Sequence, residues 1–314
     1  MPSSAASPSR STSPSTRCCA ARRWPPVPDR VQWSTVVSTG GARLHTEVHG
    51  PEDRPTVVLV HGWACDTGFW RPLRERLLPE HRVVVYDQRG HGRTPATPGA
   101  CSPEALADDL CAVLTATVPS GARAVVAGHS MGAMTVVAAA ARPELRDLAA
   151  ATLLCSTGVD RLTAASTVFP LPPGRARGRA QRLLLTTRLP YGPVTPLSRQ
   201  LVRYVTMGRA ATAEQRRTVA RMVSCCPRLA RAEWGGMLAD LDLSPLLPRL
   251  DLPTTVVHGT VDRLTPLAHA RRTAGRLPRL VELVELPGIG HMAPFEAPDR
   301  VMQPLIALVK EHLL

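Results

Sequence analysis

The sequence predicts an α/β fold, with a mostly parallel central sheet flanked by helices, and three observations carry that reading. Short apolar runs without polar alternation, at 56–60, 83–86, 124–127 and 254–257, suit strands covered on both faces, as in a parallel sheet. Helix-compatible segments alternate with them, the order that layers helices on a sheet. Between about Thr157 and Gly236 strand patterns vanish, and helix-compatible pieces are broken by Pro170, Pro172, Pro173, Pro190, Pro193, Pro196 and Pro227. At 314 residues with 44% hydrophobic content, one large core with a decoration is the simplest arrangement.

Taken in order, residues 1–30 are Ser, Pro, Ala and Arg with Asp29 the only acid, a composition expected to be disordered. The pair Arg22-Arg23 is followed by Trp24-Pro25-Pro26, not by the hydrophobic stretch that an export signal requires. Order is expected from Val31, where Val31–Val37 and Ala42–Val48 flank Gly40-Gly41 as a β-hairpin, with His45 a solvated strand residue.

The run Thr56–Val60 ends in His61-Gly62-Trp63, and the glycine lets the chain bend sharply as the strand emerges. Arg82–Asp87 repeats the pattern and enters Gln88-Arg89-Gly90-His91-Gly92-Arg93-Thr94, a tight loop in which Asp87 orients backbone or pairs with Arg89. Ser102 caps a helix opening at Pro103 with acids in its first turn.

The chemistry centres on Ala124–Met134. An apolar run meets Gly128-His129-Ser130-Met131-Gly132, then small residues that continue as helix. A serine hydroxyl reacts only when it is presented beside a base and beside backbone N–H donors. A strand reversing abruptly into a helix presents it so, and Gly128 and Gly132 leave the room such a turn needs. The backbone N–H groups of Trp63 and Met131 are then the expected oxyanion donors, and His61 fixes the loop, with catalytic base as its competing role.

Bulk composition excludes other classes. The formal charge of +13 comes almost wholly from arginine, with Lys310 the only lysine and aromatics at 4%, which reflects coding bias better than a nucleic-acid surface. The eight cysteines show no Cys-x-x-Cys spacing and no cluster suited to zinc, so no metal or organic cofactor is expected and the chain reads as reduced and cytoplasmic. No apolar run approaches the roughly 18 residues of a membrane span.

The segments Val60-His61-Gly62-Trp63, Asp87–Thr94 and Gly128–Gly132, in that order and spacing, resemble the α/β-hydrolase fold superfamily. The resemblance implies a strand at Ala149–Cys155 and a helical cap at 157–236, inserted after the sixth strand. It divides the rest of the core into 31–156 and 237–314. It also implies an acid and a histidine after the last two strands: Thr254–Gly259 leads to Asp262, and Val281–Leu286 leads to His291. The implied triad is Ser130, Asp262 and His291, with Asp160 an alternative acid because some family members carry it after the preceding strand. A serine at the turn argues against dehalogenase and epoxide hydrolase chemistry, which need a carboxylate there.

Between Arg161 and Arg231 fourteen arginines face one acid, Glu214. This is a solvated face, or an entrance that attracts an anionic substrate or lipid surface. Met222, Trp234 and Met237 are candidates for lining an acyl slot, with core packing the competing use of each. The expected function is hydrolysis of a carboxylic ester or thioester with a medium or long acyl chain. Perhydrolysis, acyl transfer and a weakly catalytic receptor are the alternatives, and the oligomeric state is left open.

Overall fold

A computed structural model describes residues 31–78 and 80–314, so the leader expected at 1–30 lies outside the described residues. Eight strands form one sheet: β1 (Gln32–Val37), β2 (Arg43–His49), β3 (Thr56–Val60), β4 (Arg82–Tyr86), β5 (Ala124–His129), β6 (Ala149–Cys155), β7 (Thr254–Gly259) and β8 (Leu280–Leu286). Their spatial order is β1-β2-β4-β3-β5-β6-β7-β8. The β1–β2 hairpin and the β2–β4 pair are antiparallel, and every pair from β4 to β8 is parallel. The hairpin turns through a short helical bend at Thr39–Gly41, with Gly40 and Gly41 at φ 67° and 73°.

The helices of the core are α1 (Arg71–Leu77), α2 (Pro103–Thr117), α3 (Met131–Ala138) and α4 (Pro143–Leu148). Between β6 and β7 the chain makes a helical insertion of α5 (Leu162–Ala165), α6 (Arg175–Thr186), α7 (Pro196–Thr206), α8 (Ala213–Cys225) and α9 (Arg228–Asp240), and then α10 (Ala268–Ala274), α11 (Ala293–Glu296) and α12 (Pro298–His312) return to the core. Side chains alternate across a strand, which explains the unbroken apolar runs. Val58 and Val60 pack on one face with Leu106, Leu110 and Val137, while Val57 and Leu59 pack on the other with Leu73, Leu77, Leu305 and Val309.

Local signals set the helix ends. The Ser102 hydroxyl accepts from the Ala105 N–H to cap α2. In the insertion, Thr195 with Ser198 and Thr212 with Gln215 form reciprocal caps on α7 and α8, and Pro196 and Pro227 fall at the starts of α7 and α9. The prolines that break the sequence pattern therefore delimit helices.

One alternative is decided and one expectation is corrected. Asp87 does orient backbone, accepting from the N–H groups of Thr67 (2.7 Å) and Arg93 (2.9 Å), but Arg89 pairs elsewhere, through two 2.7 Å bonds to the buried Asp109. His45 is half-buried, with its ring 3.1 Å from Glu47 and edge-on to Trp33, because Glu47 beneath it gathers His49, Arg74 and Arg93 as well.

Because β3 to β8 run parallel, their C-terminal ends share one edge of the sheet. The strand order reverses between β3 and β5, and that edge at such a reversal is where open α/β sheets present their sites.

Candidate active site

Ser130 stands between β5 and α3 with φ 52° and ψ −117°, a left-handed conformation that a non-glycine residue holds only when its surroundings force it. The surroundings are close. A methyl group on Gly128 would lie 2.4 Å from the Gly132 carbonyl oxygen, and one on Gly132 would lie 2.1 Å from that of Val60. The turn is tied to β6 and its following loop: the Ser130 N–H donates to the Cys155 carbonyl (2.9 Å) and the Thr157 hydroxyl to the Ser130 carbonyl (3.0 Å).

The loop after β8 brings His291 to this turn, with Nε2 2.9 Å from the Ser130 Oγ. Its Nδ1 lies 2.7 Å from Asp262 Oδ2, in the loop after β7. With the Nδ1 proton directed at the carboxylate, Nε2 is left to accept from the serine hydroxyl. Asp262 is itself fixed: Oδ1 accepts from the N–H groups of Leu264 and Thr265 (both 2.9 Å), and Oδ2 accepts from the Thr265 hydroxyl (2.8 Å). Burial disfavours its charge, but His291 and His258, the latter 3.4 Å away, outweigh burial and hold the carboxyl well below its ordinary value. A hydroxyl, an imidazole and a buried carboxylate in series can pass the hydroxyl proton to the imidazole.

Asp160 is placed elsewhere, beside Arg272 (3.3 Å) and His269 (3.8 Å), so it is Asp262 that reaches His291.

The Gly62–Trp63 loop closes over the same turn, since a methyl on Gly62 would lie 3.1 Å from Ser130 Cβ. Met131 begins α3, so its N–H is one of those a helix leaves without an internal acceptor. His61 holds the loop from beneath: Nδ1 donates to the Gly62 carbonyl (2.8 Å) and Nε2 accepts from the Gln88 N–H (3.0 Å). Burial pushes His61 down to about 4, against the Gly62 carbonyl, and with both nitrogens engaged it cannot serve as the base. Gln88 also accepts from the Thr135 hydroxyl of α3 (2.8 Å), joining the loop to the helix behind Ser130.

Supporting residues absent from the sequence reading complete the site. His129 donates through Nε2 to the His291 carbonyl (2.9 Å) and stacks on Phe69, and burial pushes it well below the usual histidine range. Glu296 accepts from the N–H groups of Gly208 (2.6 Å) and Gly290 (3.1 Å), clamping the α7–α8 connection to the loop that carries His291. His129 was visible inside the Gly-His-Ser-Met-Gly run; Glu296, in an ordinary helix turn, gave no signal.

Above Ser130 lies a cavity of about 190 Å³, with Trp63, Ser130 and His291 in its floor and Leu184, Leu185, Leu201, Val202 and Val205 of the insertion in its walls. Met222, Trp234 and Met237 are not among its lining residues. Trp234 is buried with its indole N–H donating to the Arg89 carbonyl (2.8 Å), Met222 packs into the core on one side of the sheet, and Met237 packs against the core on the other. On α8 and α9 it is the neighbours Val223 and Leu238 that face the cavity, one residue away from two of the candidates. Among the described residues no His, Cys, Asp or Glu cluster suited to a metal ion occurs, and no helix is long and apolar enough to cross a membrane.

A serine turn at this edge of this sheet, with its histidine and acid from the following strands, defines a class, and comparison with known proteins gives the family. Residues 57–303 match the model of the alpha/beta hydrolase family, and the chain belongs to it. It is 31% identical over 258 residues to a pimeloyl-[acyl-carrier protein] methyl ester esterase of Xanthomonas campestris pv. campestris, covering 80% of this chain and 92% of that one. It is 24% identical over 284 residues to a bifunctional esterase/perhydrolase of Acinetobacter calcoaceticus, covering 88% and 99%. A thermophilic esterase from Thermogutta terrifontis superposes with a TM-score of 0.72 at 26% identity, covering 90% and 98%. The chain's class of activity is carboxylic ester hydrolysis.

Proposed function

We propose that the chain cleaves a carboxylic ester of medium acyl length through an acyl-enzyme on Ser130. Ser130 Oγ attacks the ester carbonyl as His291 Nε2 takes its proton, and Asp262 holds the imidazole in the required tautomer and balances its charge. The N–H groups of Trp63 and Met131 receive the oxyanion. His291 returns the proton to the leaving alcohol, and water then repeats the sequence to free the acid. The observation that carries this reading is the 2.9 Å and 2.7 Å hydrogen-bonded series opening into an apolar cavity.

The insertion acts as the cap of this site, and with α9 running to Asp240 the cap extends four residues past 236. A cavity of 190 Å³ is somewhat larger than one of roughly 150 Å³ that holds benzene. That supports an acyl group of medium length, and Leu201, exposed at the rim, lets a longer chain continue outward. Leu183, Leu189 and Leu197 are exposed among the arginines of the insertion, which supports peripheral contact with an anionic surface. A second reading, with peroxide replacing water as the acyl acceptor, draws on the likeness to the esterase/perhydrolase.

The test is hydrolysis of a p-nitrophenyl ester series of increasing acyl length by the wild type, Ser130→Ala and Asp262→Asn. Turnover should peak at one chain length, and each substitution should lower kcat by about 10⁴-fold or more. A folded wild type without turnover on any ester would overturn the reading.

A further inference from the structure

A polar side chain of the insertion turns into the cavity without a partner for its oxygen. Gln181, on α6, is 2% exposed and faces the cavity with Leu184 and Leu185, three and four residues on and so on the same side of the helix. Its Oε1 is buried and has no hydrogen-bond partner. Of the other hydroxyls of the wall, Tyr191 donates to the Leu184 carbonyl (3.1 Å), Ser198 to the Pro193 carbonyl (3.1 Å) and Thr206 to the Val202 carbonyl (2.7 Å), while Ser224 is less deeply buried than Gln181. Thr265 is committed to Asp262 (2.8 Å).

Buried polar side chains in native structures are almost always hydrogen-bonded, and an exception calls for a reason. On α6 the arginines at 175, 179 and 182 are exposed, whereas Gln181 turns into an apolar cavity shared with Ser130. A glutamine amide offers an acceptor and a donor on one arm, which matches a hydroxyl, itself both. We infer that Gln181 is a specificity-determining residue whose amide hydrogen-bonds a hydroxyl of the substrate, so that the preferred ester bears a hydroxyl group rather than a plain hydrocarbon chain. The inference rests on the ester-hydrolase reading of Ser130 and extends it. A hydroxyl on the acyl part and one on the alcohol part present the same chemistry.

The experiment compares kcat/KM for matched esters in the wild type and in Gln181→Met, which keeps the side-chain length and removes both polar atoms. Methyl hexanoate against methyl 3-hydroxyhexanoate and methyl 6-hydroxyhexanoate tests the acyl side; ethyl hexanoate against 2-hydroxyethyl hexanoate tests the alcohol side. A buried hydrogen bond to substrate should favour a hydroxylated ester by on the order of ten- to a hundredfold in the wild type. Gln181→Met should abolish that preference, read within each protein as the ratio of kcat/KM for the hydroxylated over the plain ester. Preference on either arm supports the inference and assigns the hydroxyl to that part of the substrate. No preference on either arm, or a preference that survives Gln181→Met, overturns it; the second result means that water fills the amide or that another group reads the hydroxyl.

Binding gives an independent arm. In Ser130→Ala, calorimetric titration should find 3-hydroxyhexanoate or 6-hydroxyhexanoate, or the intact 2-hydroxyethyl ester, tighter than its unsubstituted counterpart, and equal affinities throughout would overturn the inference. This arm needs neither catalysis nor the Gln181 variant. Failure of plain-ester hydrolysis in the wild type would therefore count against the role of Ser130 and leave the role of Gln181 to the binding result.

Discussion

The sheet edge that carries Ser130 and the outer face of the insertion above it are built to different tolerances. At the edge, backbone meets backbone: Gly132 packs against the Val60 carbonyl, and each polar atom of Asp262 is spoken for. In the insertion, Gly178 has no neighbour within 4 Å of where a methyl would stand, and Leu197 is 79% exposed. The reactive geometry therefore leaves no slack; within the insertion backbone meets backbone as closely where Gly235 of α9 packs on the Leu185 carbonyl of α6, so the slack lies on the insertion's outer face. Reaction type belongs to the sheet edge and selectivity to the insertion.

The sharpest way to break this comparison is to add one methyl group in each region. Gly132→Ala should destabilise the fold by about 4 kcal/mol or more, in the extreme tail for single substitutions, whereas Gly178→Ala should stabilise it by about 0.5–1 kcal/mol by relieving a helix-interior glycine. Urea denaturation of both variants measures the difference; similar effects would erase the distinction.

A smaller effect is expected at the seam, where Glu296 joins Gly208 of the insertion to Gly290 beside His291. Burial raises this carboxyl to about 7 against the pull of those two N–H donors; the charge of Asp262 adds to the rise and His291 opposes it. A carboxyl raised in the folded state binds its proton more tightly folded than unfolded. The stability it gives is therefore greatest below its ordinary 4.5 and is lost as pH rises toward 7. Relative to Glu296→Gln, the wild type should lose up to about 3 kcal/mol across that window and then level off. Melting curves at stepped pH test this, and a difference that stays constant with pH would count against it.

The least effect on stability is expected from Leu197→Ser, within about 0.5 kcal/mol as for exposed positions generally. Its reduced co-sedimentation with anionic vesicles would place the outer face of the insertion against a lipid surface; unchanged co-sedimentation would remove that role.

What could be read from the sequence followed the same division. The strands and the Ser130 turn were legible because each is written locally, as an apolar run followed by a turn residue; Asp262 and His291 came from the resemblance, which implies an acid and a histidine after the last two strands. Gln181 and Glu296 were not, because their importance depends on which way a helix faces after the chain has folded. Met222 and Met237 show the cost of that ambiguity: the right helices were chosen, but a one-residue step around a helix turns a side chain by about 100°, enough to exchange cavity wall for core. The partner of Arg89 was left open for a related reason, since Asp109 lies twenty residues on and only packing brings it near.

Trp63 belongs to both the sheet edge and the insertion. Its backbone lies in the loop against Ser130, while its indole N–H donates to the Arg231 carbonyl on α9 (2.9 Å). Mechanically this bond is a pin between the two: a displacement of α9 must break it or drag the Gly62–Trp63 loop with it. A catalyst assembled this way registers the position of its own roof at the place where the reaction's charge would form.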